Sequence, residues 1–337
     1  MDKSKGLIVS SAPHLKGDDS VDKAMKDVMI ALIPVTAAAV FFFGVYALFL
    51  VTVCMVTAAL TEVLFRTLMK KRVTLYDYSA LLTGLLVALC FSATTAWWNG
   101  ALATFIAVGF AKELMGGLGW NRFNPALFGR VALIILAPVF ALFSADLSTW
   151  SVNLGPVDVM TQATPLAMLQ RGMEMPGLGN LFVGFPGGAM SEASALLVLL
   201  GGLYLLYKKH ITWLIPVSII GTVFVLTAIA GIASGKDLAY PFYHMFSGGL
   251  MLGAFFMATD WVTSPITDKG KIVFGVLIGI LIVVFRVGLA PTEGVAFSIL
   301  IMNGFVPMIE RATKHKSFSE PRPVRLPMEQ EKAPVSQ

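Results

Sequence analysis

Residues Val28–Phe65 read VMIALIPVTAAAVFFFGVYALFLVTVCMVTAALTEVLF, an apolar stretch that holds one charged side chain, Glu62. A helix that crosses the hydrocarbon layer of a membrane needs about 20 residues, so this stretch is too long for one crossing. It predicts two consecutive transmembrane helices, and we place the break near Gly44, where glycine tolerates a turn. The stretch therefore indicates an integral membrane protein.

The composition of the whole chain supports the same class. Of its 337 residues, 56% are hydrophobic and 13% are charged, and the mean hydropathy is +0.78. That much apolar surface does not fit inside one soluble core. Further apolar segments cover Tyr78–Thr95, Ala101–Leu118, Asn124–Phe143, Ala193–Tyr207, Trp213–Ala233, His244–Trp261, Ile272–Arg286 and Gly294–Ile309. The sequence thus predicts an all-α integral membrane protein with about ten transmembrane helices.

The positive charges predict the orientation of these helices. Most of the 25 Lys and Arg residues lie before the first span, after the second span and in the C-terminal tail. Under the positive-inside rule, this bias places both termini in the cytoplasm. The polar interval between the two apolar halves then lies on the outer side of the membrane. The N-terminus has no apolar core followed by a cleavage site, so we expect no signal peptide.

We divide the chain into five parts and expect an internal repeat. Residues 1–26 form a cytoplasmic N-terminal segment, 27–143 a first five-helix membrane repeat, 144–192 an outer loop, 193–311 a second five-helix repeat, and 312–337 a disordered cytoplasmic tail. The repeats show weak similarity, since Ser79–Thr95 resembles Ser247–Asp260. Because each repeat has an odd number of crossings, the two are inverted, an arrangement that favours broken or re-entrant helices with a site near the midplane or at the broken ends.

Charged side chains inside or beside apolar spans need an explanation, because each costs about 2.5–3.5 kcal/mol at a helix centre on insertion scales. For most of them we expect the long side chain to reach the membrane surface, namely for Glu62, Lys112, Glu113, Arg286 and Glu293. Arg130 and Asp260 fit this explanation less well. Arg130 falls well inside a helix, and Asp260 ends the run F-F-M-A-T-D, where the sequence changes from apolar to hydroxyl-rich.

Metal chemistry is not expected. The 4 histidines are scattered along the chain, and 2 cysteines are too few for an iron–sulfur cluster or a Cys-rich zinc site.

Asn124 and Pro125 have the form of a helix start, with asparagine as the N-cap and proline at the first helical position. The unpaired amides and the positive dipole end of that helix suit an anion or an electron-rich ring carbonyl. An ordinary structural cap is the alternative. In the second repeat, Thr292 occupies the matching position before Glu293 and Gly294.

The segment D-V-M-T-Q-A-T-P-L, which starts at Asp158, lies in the predicted outer loop. Its last threonine, Thr164, precedes a proline, which favours an extended backbone and allows the hydroxyl to face solvent. Taken alone, this pattern indicates no more than a surface turn.

Together with three further motifs, this segment resembles the RnfD/NqrB family of membrane subunits. The motifs are F-N-P-A-L-F-G-R from Phe123, F-F-M-A-T-D-W-V-T-S-P from Phe255 and R-V-G-L-A-P-T-E-G-V-A-F-S-I-L-I-M-N from Arg286. The resemblance runs from about Asp27 to Arg311, which is nearly the whole membrane part.

The resemblance implies a covalent flavin. In this family FMN is attached through a phosphoester to the last threonine of an outer-side motif, which here is Thr164, with Asp158, Thr161 and Ala163 as motif positions. Gln162 stands where many such motifs have glycine. A separate flavin transferase moves the FMN moiety of FAD onto the threonine.

The resemblance also implies a second, noncovalent flavin, riboflavin. Its candidate surroundings are Asn124, Pro125, Arg130, Thr259 and Asp260. With one flavin at each face, the chain would carry electrons across the bacterial inner membrane. It would work as a subunit of an ion-translocating ferredoxin:NAD oxidoreductase complex, the Rnf complex, beside other membrane, iron–sulfur and flavin-bearing subunits.

Two other functions fit parts of the same sequence. A ten-span inverted repeat with broken helices also describes secondary transporters and channels for small solutes, so the fold does not decide. An inert scaffold fits the hydrophobicity but gives no reason for the motif at Thr164. Flavin on that threonine separates the redox subunit from both alternatives.

Overall fold

The computed structural model describes residues 20–143, 164–171, 173, 175–184, 187–288 and 294–314. All regular secondary structure in these ranges is helical. Five helices are long and apolar enough to cross a membrane: α1 (Val21–Phe43), α2 (Val45–Leu68), α9 (Leu214–Ala233), α12 (Asp268–Gly288) and α13 (Gly294–Thr313). The prediction of an all-α, multi-pass membrane protein is therefore confirmed.

The predicted break at Gly44 is also confirmed. Gly44 has φ +76° and separates α1 from α2. Because a residue with a side chain rarely adopts this backbone conformation, glycine allows two long apolar helices to follow each other with a single residue between them.

Several other apolar segments form helices too short to cross the bilayer alone. They are α3 (Ser79–Cys90), α4 (Trp97–Ile106), which continues into a π-helical segment (Ala107–Glu113), and α8 (Ala195–Tyr207). The 12 residues of α3 rise about 18 Å, well below the roughly 30 Å of a hydrocarbon core. The helix α5 (Pro125–Phe143) begins one residue after the predicted start at Asn124.

The prediction of one continuous span over His244–Trp261 is wrong. The segment is divided into α10 (Tyr240–Phe246), the short α11 (Leu250–Leu252) and a π-helical segment (Gly253–Met257). Gly248 and Gly249 have φ +68° and +63°, and two successive left-handed residues end a right-handed helix. The break is stabilised by Arg286, which donates hydrogen bonds to the backbone oxygens of Ser247 at 2.9 Å and Gly248 at 3.2 Å.

The helices pack as two related sets. In the first set α2 contacts α3 and α4, and α4 contacts α5; in the second, α9 contacts α10 and α12, and α12 contacts α13. The sets meet through equivalent helices, since α1 packs against α8 and α5 packs against α13. This pairing of each helix with its counterpart is the one expected of inverted repeats related by a pseudo-twofold axis. The predicted limits of the five parts of the chain stay predictions.

Two short helices lie between the sets. They are α6 (Pro165–Arg171), which contacts α10, and α7 (Leu178–Val183), which contacts α8 and α10. A 3₁₀ turn (Met190–Glu192) then leads into α8. The interval predicted as an outer loop therefore contains elements that pack on the second repeat.

Candidate functional site

A cavity of about 830 Å³, part of which is open to solvent, lies between the two repeats. Four of the five residues predicted to surround riboflavin line it: Asn124, Pro125, Thr259 and Asp260. We call it the inner cavity, because its lining includes Ser79 and Lys112, near the basic segment predicted to face the cytoplasm. Its remaining lining residues come mainly from α1, α3, α8 and the π-helical segment Gly253–Met257.

Asn124 holds the start of α5 in place. Its side-chain oxygen accepts hydrogen bonds from the backbone N–H of Ala126 at 3.0 Å and of Leu127 at 3.3 Å, which makes it the predicted N-cap. Its amide nitrogen donates to the backbone oxygen of Met257 at 3.1 Å. Asn124 is buried, so these bonds also fix α5 against the second repeat.

Thr259 and Asp260 also line the inner cavity. The Thr259 hydroxyl donates to the backbone oxygen of Phe255 at 2.7 Å, inside the turn that follows the π-helical segment. Asp260 accepts a hydrogen bond from the hydroxyl of Thr263 at 3.1 Å. The cavity lining thus includes a carboxyl group as well as the amino-terminal end of α5, a mixed polar environment that suits a ring with both donors and acceptors.

A histidine that the sequence analysis set aside lies at the edge of the inner cavity. His210 Nε2 is 2.7 Å from Oδ2 of Asp27, whose other oxygen accepts a hydrogen bond from the Tyr204 hydroxyl at 3.0 Å. Trp261 also lines the cavity, and its indole N–H donates to the backbone oxygen of His210 at 2.6 Å. Asp27, His210 and Trp261 lie far apart in the sequence, so no spacing pattern indicated the cluster.

The expectation that the side chains of Glu62, Lys112 and Glu113 reach the membrane surface is wrong. All three are at most 2% exposed and belong to one buried ionic network. The ammonium of Lys112 is 2.8 Å from Glu62 and donates to the Ser79 hydroxyl at 2.6 Å. Arg66 Nε lies 3.0 Å from Glu113. Because Lys112 and Ser79 also line the inner cavity, the network supports one of its walls.

Arg286 is likewise buried, at 2% exposure, rather than at the membrane surface. Its hydrogen bonds to the carbonyls between α10 and α11 explain the burial, because those groups lack helical partners. Glu293 and Thr292 lie outside the described residues.

Arg130 does not line the inner cavity. It lies more than one turn further along α5 and lines a second cavity of about 370 Å³, together with Glu192 and residues of the break between α10 and α11. Its guanidinium carbon is 5.8 Å from the centre of the Phe91 ring. We call this space the outer cavity, since Cys90 at the end of α3 and Ser191 before α8 line it.

Thr164 is the N-cap of α6. Its hydroxyl oxygen accepts a hydrogen bond from the backbone N–H of Ala167 at 3.3 Å, and its backbone oxygen accepts one from Met168 at 2.9 Å. The residue is half-buried, so its hydroxyl sits at the edge of the packed helices rather than in a free loop. The motif positions Asp158, Thr161 and Ala163 lie outside the described residues.

Known proteins resemble this chain over nearly its full length. A model of the NQR2, RnfD, RnfE family matches residues 8–319. The chain is 42% identical over 331 residues to a component of the proton-translocating ferredoxin:NAD(+) oxidoreductase complex of Clostridium ljungdahlii, a match that covers 95% of this chain and 98% of that protein. It is 41% identical over 317 residues to the corresponding component of the Na(+)-translocating ferredoxin:NAD(+) oxidoreductase complex of Acetobacterium woodii, covering 93% and 95%. It is 35% identical to a component of the ion-translocating oxidoreductase complex of Aliivibrio salmonicida, covering 93% and 98%.

Proposed function

Because the chain belongs to the NQR2, RnfD, RnfE family, we propose that it is the membrane subunit through which electrons cross the bilayer in an ion-translocating ferredoxin:NAD oxidoreductase complex. Its partners in this role are the other Rnf-type subunits, which include membrane, iron–sulfur and flavin-bearing chains. The complex lies in the bacterial inner membrane, with both termini of this subunit in the cytoplasm and Thr164 on the outer side.

The electrons are carried by flavins that the protein holds. One is FMN, linked through a phosphoester to the side-chain oxygen of Thr164. A flavin transferase forms this bond from FAD: the threonine oxygen bonds to the FMN phosphorus, the pyrophosphate bond breaks and AMP leaves. The position of Thr164 at the start of a packed helix supports this assignment, because the packing holds in place the residue to which the FMN phosphate is linked.

The other flavin is riboflavin, bound without a covalent link in the inner cavity. The observation that carries this proposal is the convergence of Asn124, Pro125, Thr259 and Asp260 on one cavity between the repeats, although the first and last are far apart in sequence. Flavins perform the redox chemistry when bound, and the protein supplies position and electrostatics. Asn124 caps α5 and so holds the start of that helix in the wall of the inner cavity. Lys112 and Asp260 place opposite charges at the same cavity.

Mass spectrometry of the protein produced together with its transferase tests the covalent flavin. After denaturation and washing, the peptide that contains Thr164 should be heavier by FMN minus one water, and the protein band should fluoresce as flavin does. The Thr164→Val variant keeps the side-chain shape, lacks the hydroxyl and should carry no covalent flavin. Unmodified Thr164 in the wild-type protein would refute the proposal.

A transporter or channel for a small solute is the second candidate function. Its supporting observation is the broken helix between α10 and α11 beside cavities at the repeat interface, which is also the architecture of many secondary transporters. A colourless purified protein that moves a solute into liposomes would favour this function over electron transfer.

A further inference from the structure

We propose that His210 delivers protons from the cytoplasm to the flavin in the inner cavity, and that Asp27 and Tyr204 orient it for this task. The inference rests on the proposed function, because it concerns the same cavity. It adds a source for the protons that a flavin takes up on reduction.

His210 contacts both the inner cavity and the solvent. It lies in the short link between α8 and α9, directly after Lys208 and Lys209, on the side of the membrane that the positive charges predict to be cytoplasmic. Its side chain lines the inner cavity and is 14% exposed. A group that passes protons between water and a cavity needs access to both, and His210 has this access.

Asp27 fixes the proton arrangement of the His210 ring. Oδ2 of Asp27 is 2.7 Å from Nε2 of the ring, and a carboxylate only accepts hydrogen bonds, so Nε2 carries a hydrogen. The other ring nitrogen, Nδ1, is then the one that gains and loses a proton. A carboxylate in this position holds the orientation of an imidazole and stabilises its charged form.

Asp27 is itself held by two groups of α8. The Tyr204 hydroxyl donates to Oδ1 at 3.0 Å, and the Lys208 ammonium lies 3.9 Å from Oδ2. Both contacts favour the ionised carboxylate, so Asp27 stays an anion while His210 changes its charge. Among the described residues, these three and Asp260, next to Trp261 in the chain, are the ionisable groups around the imidazole.

The backbone of His210 is fixed as well. Its N–H donates to the backbone oxygen of Leu205 at 3.0 Å, and the preceding Lys209 has φ +61°, a left-handed conformation that commonly ends a helix. Its carbonyl oxygen accepts a hydrogen bond from the Trp261 indole N–H at 2.6 Å. Leu205 and Trp261 both line the inner cavity, so the two bonds hold the histidine at the edge of that cavity.

Imidazole is also the group type in the cavity lining that exchanges protons near neutral pH. The described residues that line the cavity include two other ionisable side chains, Lys112 and Asp260. The Lys112 ammonium is paired with Glu62 at 2.8 Å, and Asp260 accepts a hydrogen bond from Thr263. Of an ammonium, a carboxyl group and an imidazole, only the imidazole ordinarily titrates between about pH 5 and 8. His210 is therefore the lining residue suited to repeated proton exchange.

The proposed step balances one electron with one proton. As an electron arrives from an iron–sulfur centre of a partner subunit, the Nδ1–H bond of protonated His210 breaks and the proton bonds to a ring nitrogen of the flavin. The iron–sulfur centre is oxidised, the flavin ring is reduced without a change in its charge, and His210 becomes neutral. A proton from cytoplasmic water then returns to Nδ1.

Variants of His210 in Thr164→Val protein test this role, because that background should hold only the noncovalent flavin. Reduction by dithionite is followed through the flavin absorbance in a stopped-flow instrument. His210→Gln keeps a donor for Asp27 but releases no proton, so it should slow reduction at neutral pH by at least about tenfold, a modest part of the roughly 10²–10⁴-fold that acid–base catalysis contributes. His210→Ala should be equally slow, and added imidazole should restore its rate.

A purely structural role of His210 predicts the reverse result. Glutamine would then replace histidine without loss of rate, and imidazole would have no effect on His210→Ala. His244→Gln is the matched control and should leave the rate unchanged, since His244 lies in α10 and does not line the inner cavity.

The pH dependence of the rate separates the donor from its orienting partner. The rate of the Thr164→Val protein should fall as the pH rises through the titration of His210, and His210→Gln should lack this step. Asp27→Asn should move the step to lower pH, because an imidazolium without its anionic partner gives up its proton more readily.

Nuclear magnetic resonance of the oxidised protein tests the titration without any redox step and without a variant. The histidine rings are labelled with ¹³C, and the His210 signal is identified by its contact with the Trp261 ring, whose centre is 6.2 Å from that of the imidazole. We expect this signal to titrate between about pH 5 and 8.

Three results would overturn the role of His210. They are a His210→Gln rate equal to that of the parent protein, a His210→Ala rate that imidazole does not raise, and a His210 signal that does not titrate in this range. Flavin released on denaturation is measured in every sample. Thr164→Val protein without flavin refutes the riboflavin site of the proposed function and this inference with it, whereas a full flavin content with kinetics independent of His210 refutes the inference alone.

Discussion

Replacing Lys112 with methionine should strongly destabilise the protein. Lys112 is 2% exposed, and its ammonium lies 2.8 Å from a Glu62 carboxylate that is 0% exposed. Without it, Glu62 keeps the Thr74 hydroxyl at 2.8 Å and Arg66 at 3.5 Å, but Arg66 is then the one cation of the network left for two buried carboxylates, those of Glu62 and Glu113. Removing one partner of a buried ion pair costs about 3–5 kcal/mol, because the other charge remains buried without compensation.

The expected effect is large enough to measure by thermal unfolding. At about 2 °C per kcal/mol, the lower end of the range for long chains, Lys112→Met should lower the unfolding midpoint by about 6–10 °C. Cys54 and Cys90 have buried thiols, so a thiol-reactive dye reports the unfolding of detergent-solubilised protein. The matched control is Lys208→Met: that ammonium is 44% exposed and 3.9 Å from Asp27, an arrangement worth about 0–1 kcal/mol.

A double variant separates charge from packing. In Lys112→Met combined with Glu62→Gln, the uncompensated carboxylate is absent, so the double variant should unfold at a higher temperature than Lys112→Met alone. Two results would refute the reasoning: an unfolding midpoint of Lys112→Met equal to that of Lys208→Met, or a double variant less stable than the single one.

Two further changes test the inner cavity and the repeat interface. Asn124→Ala removes the N-cap of α5, a loss of about 0.5–2 kcal/mol in stability, and it also removes the hydrogen bond to Met257. The purified variant should therefore release less noncovalent flavin on denaturation than the wild-type protein. An equal flavin content would contradict the role of Asn124. Gly201→Val should prevent assembly of the two repeats, because a β-carbon at position 201 would lie only 2.5 Å from the backbone oxygen of Ala31. Gly221→Ala is the control, since a β-carbon at position 221 would have no neighbour within 4 Å. Size-exclusion chromatography in detergent shows whether only the first variant aggregates.

The membrane class, the longest helices and several element boundaries follow from the sequence because they depend on local composition. An apolar stretch of sufficient length enters a membrane whatever it later contacts, and a glycine such as Gly44 permits a break wherever the chain needs one. The N-cap at Asn124 is likewise a local interaction, formed with amides two and three residues further on. The resemblance at Thr164 is also a local pattern of residues.

The surroundings of the charged side chains in the membrane helices depend on tertiary structure. A lone glutamate near the end of an apolar helix suggests a side chain that reaches the membrane surface, but Glu62 instead meets Lys112 from a helix about fifty positions away. The split between α10 and α11 has the same cause, since Arg286 from α12 satisfies the carbonyls that the break exposes. Neither partner is visible within the local sequence.

What the sequence determined by itself was which segments enter the membrane and which residue types stand at their ends, because burial in lipid depends on composition over about twenty positions. Only the tertiary structure decided that Asn124 and Asp260 share one cavity while Arg130 and Glu192 share another. The physical reason is that a cavity forms where helices from both repeats fail to fill space between them. That space depends on how the repeats pack together, which no single segment contains.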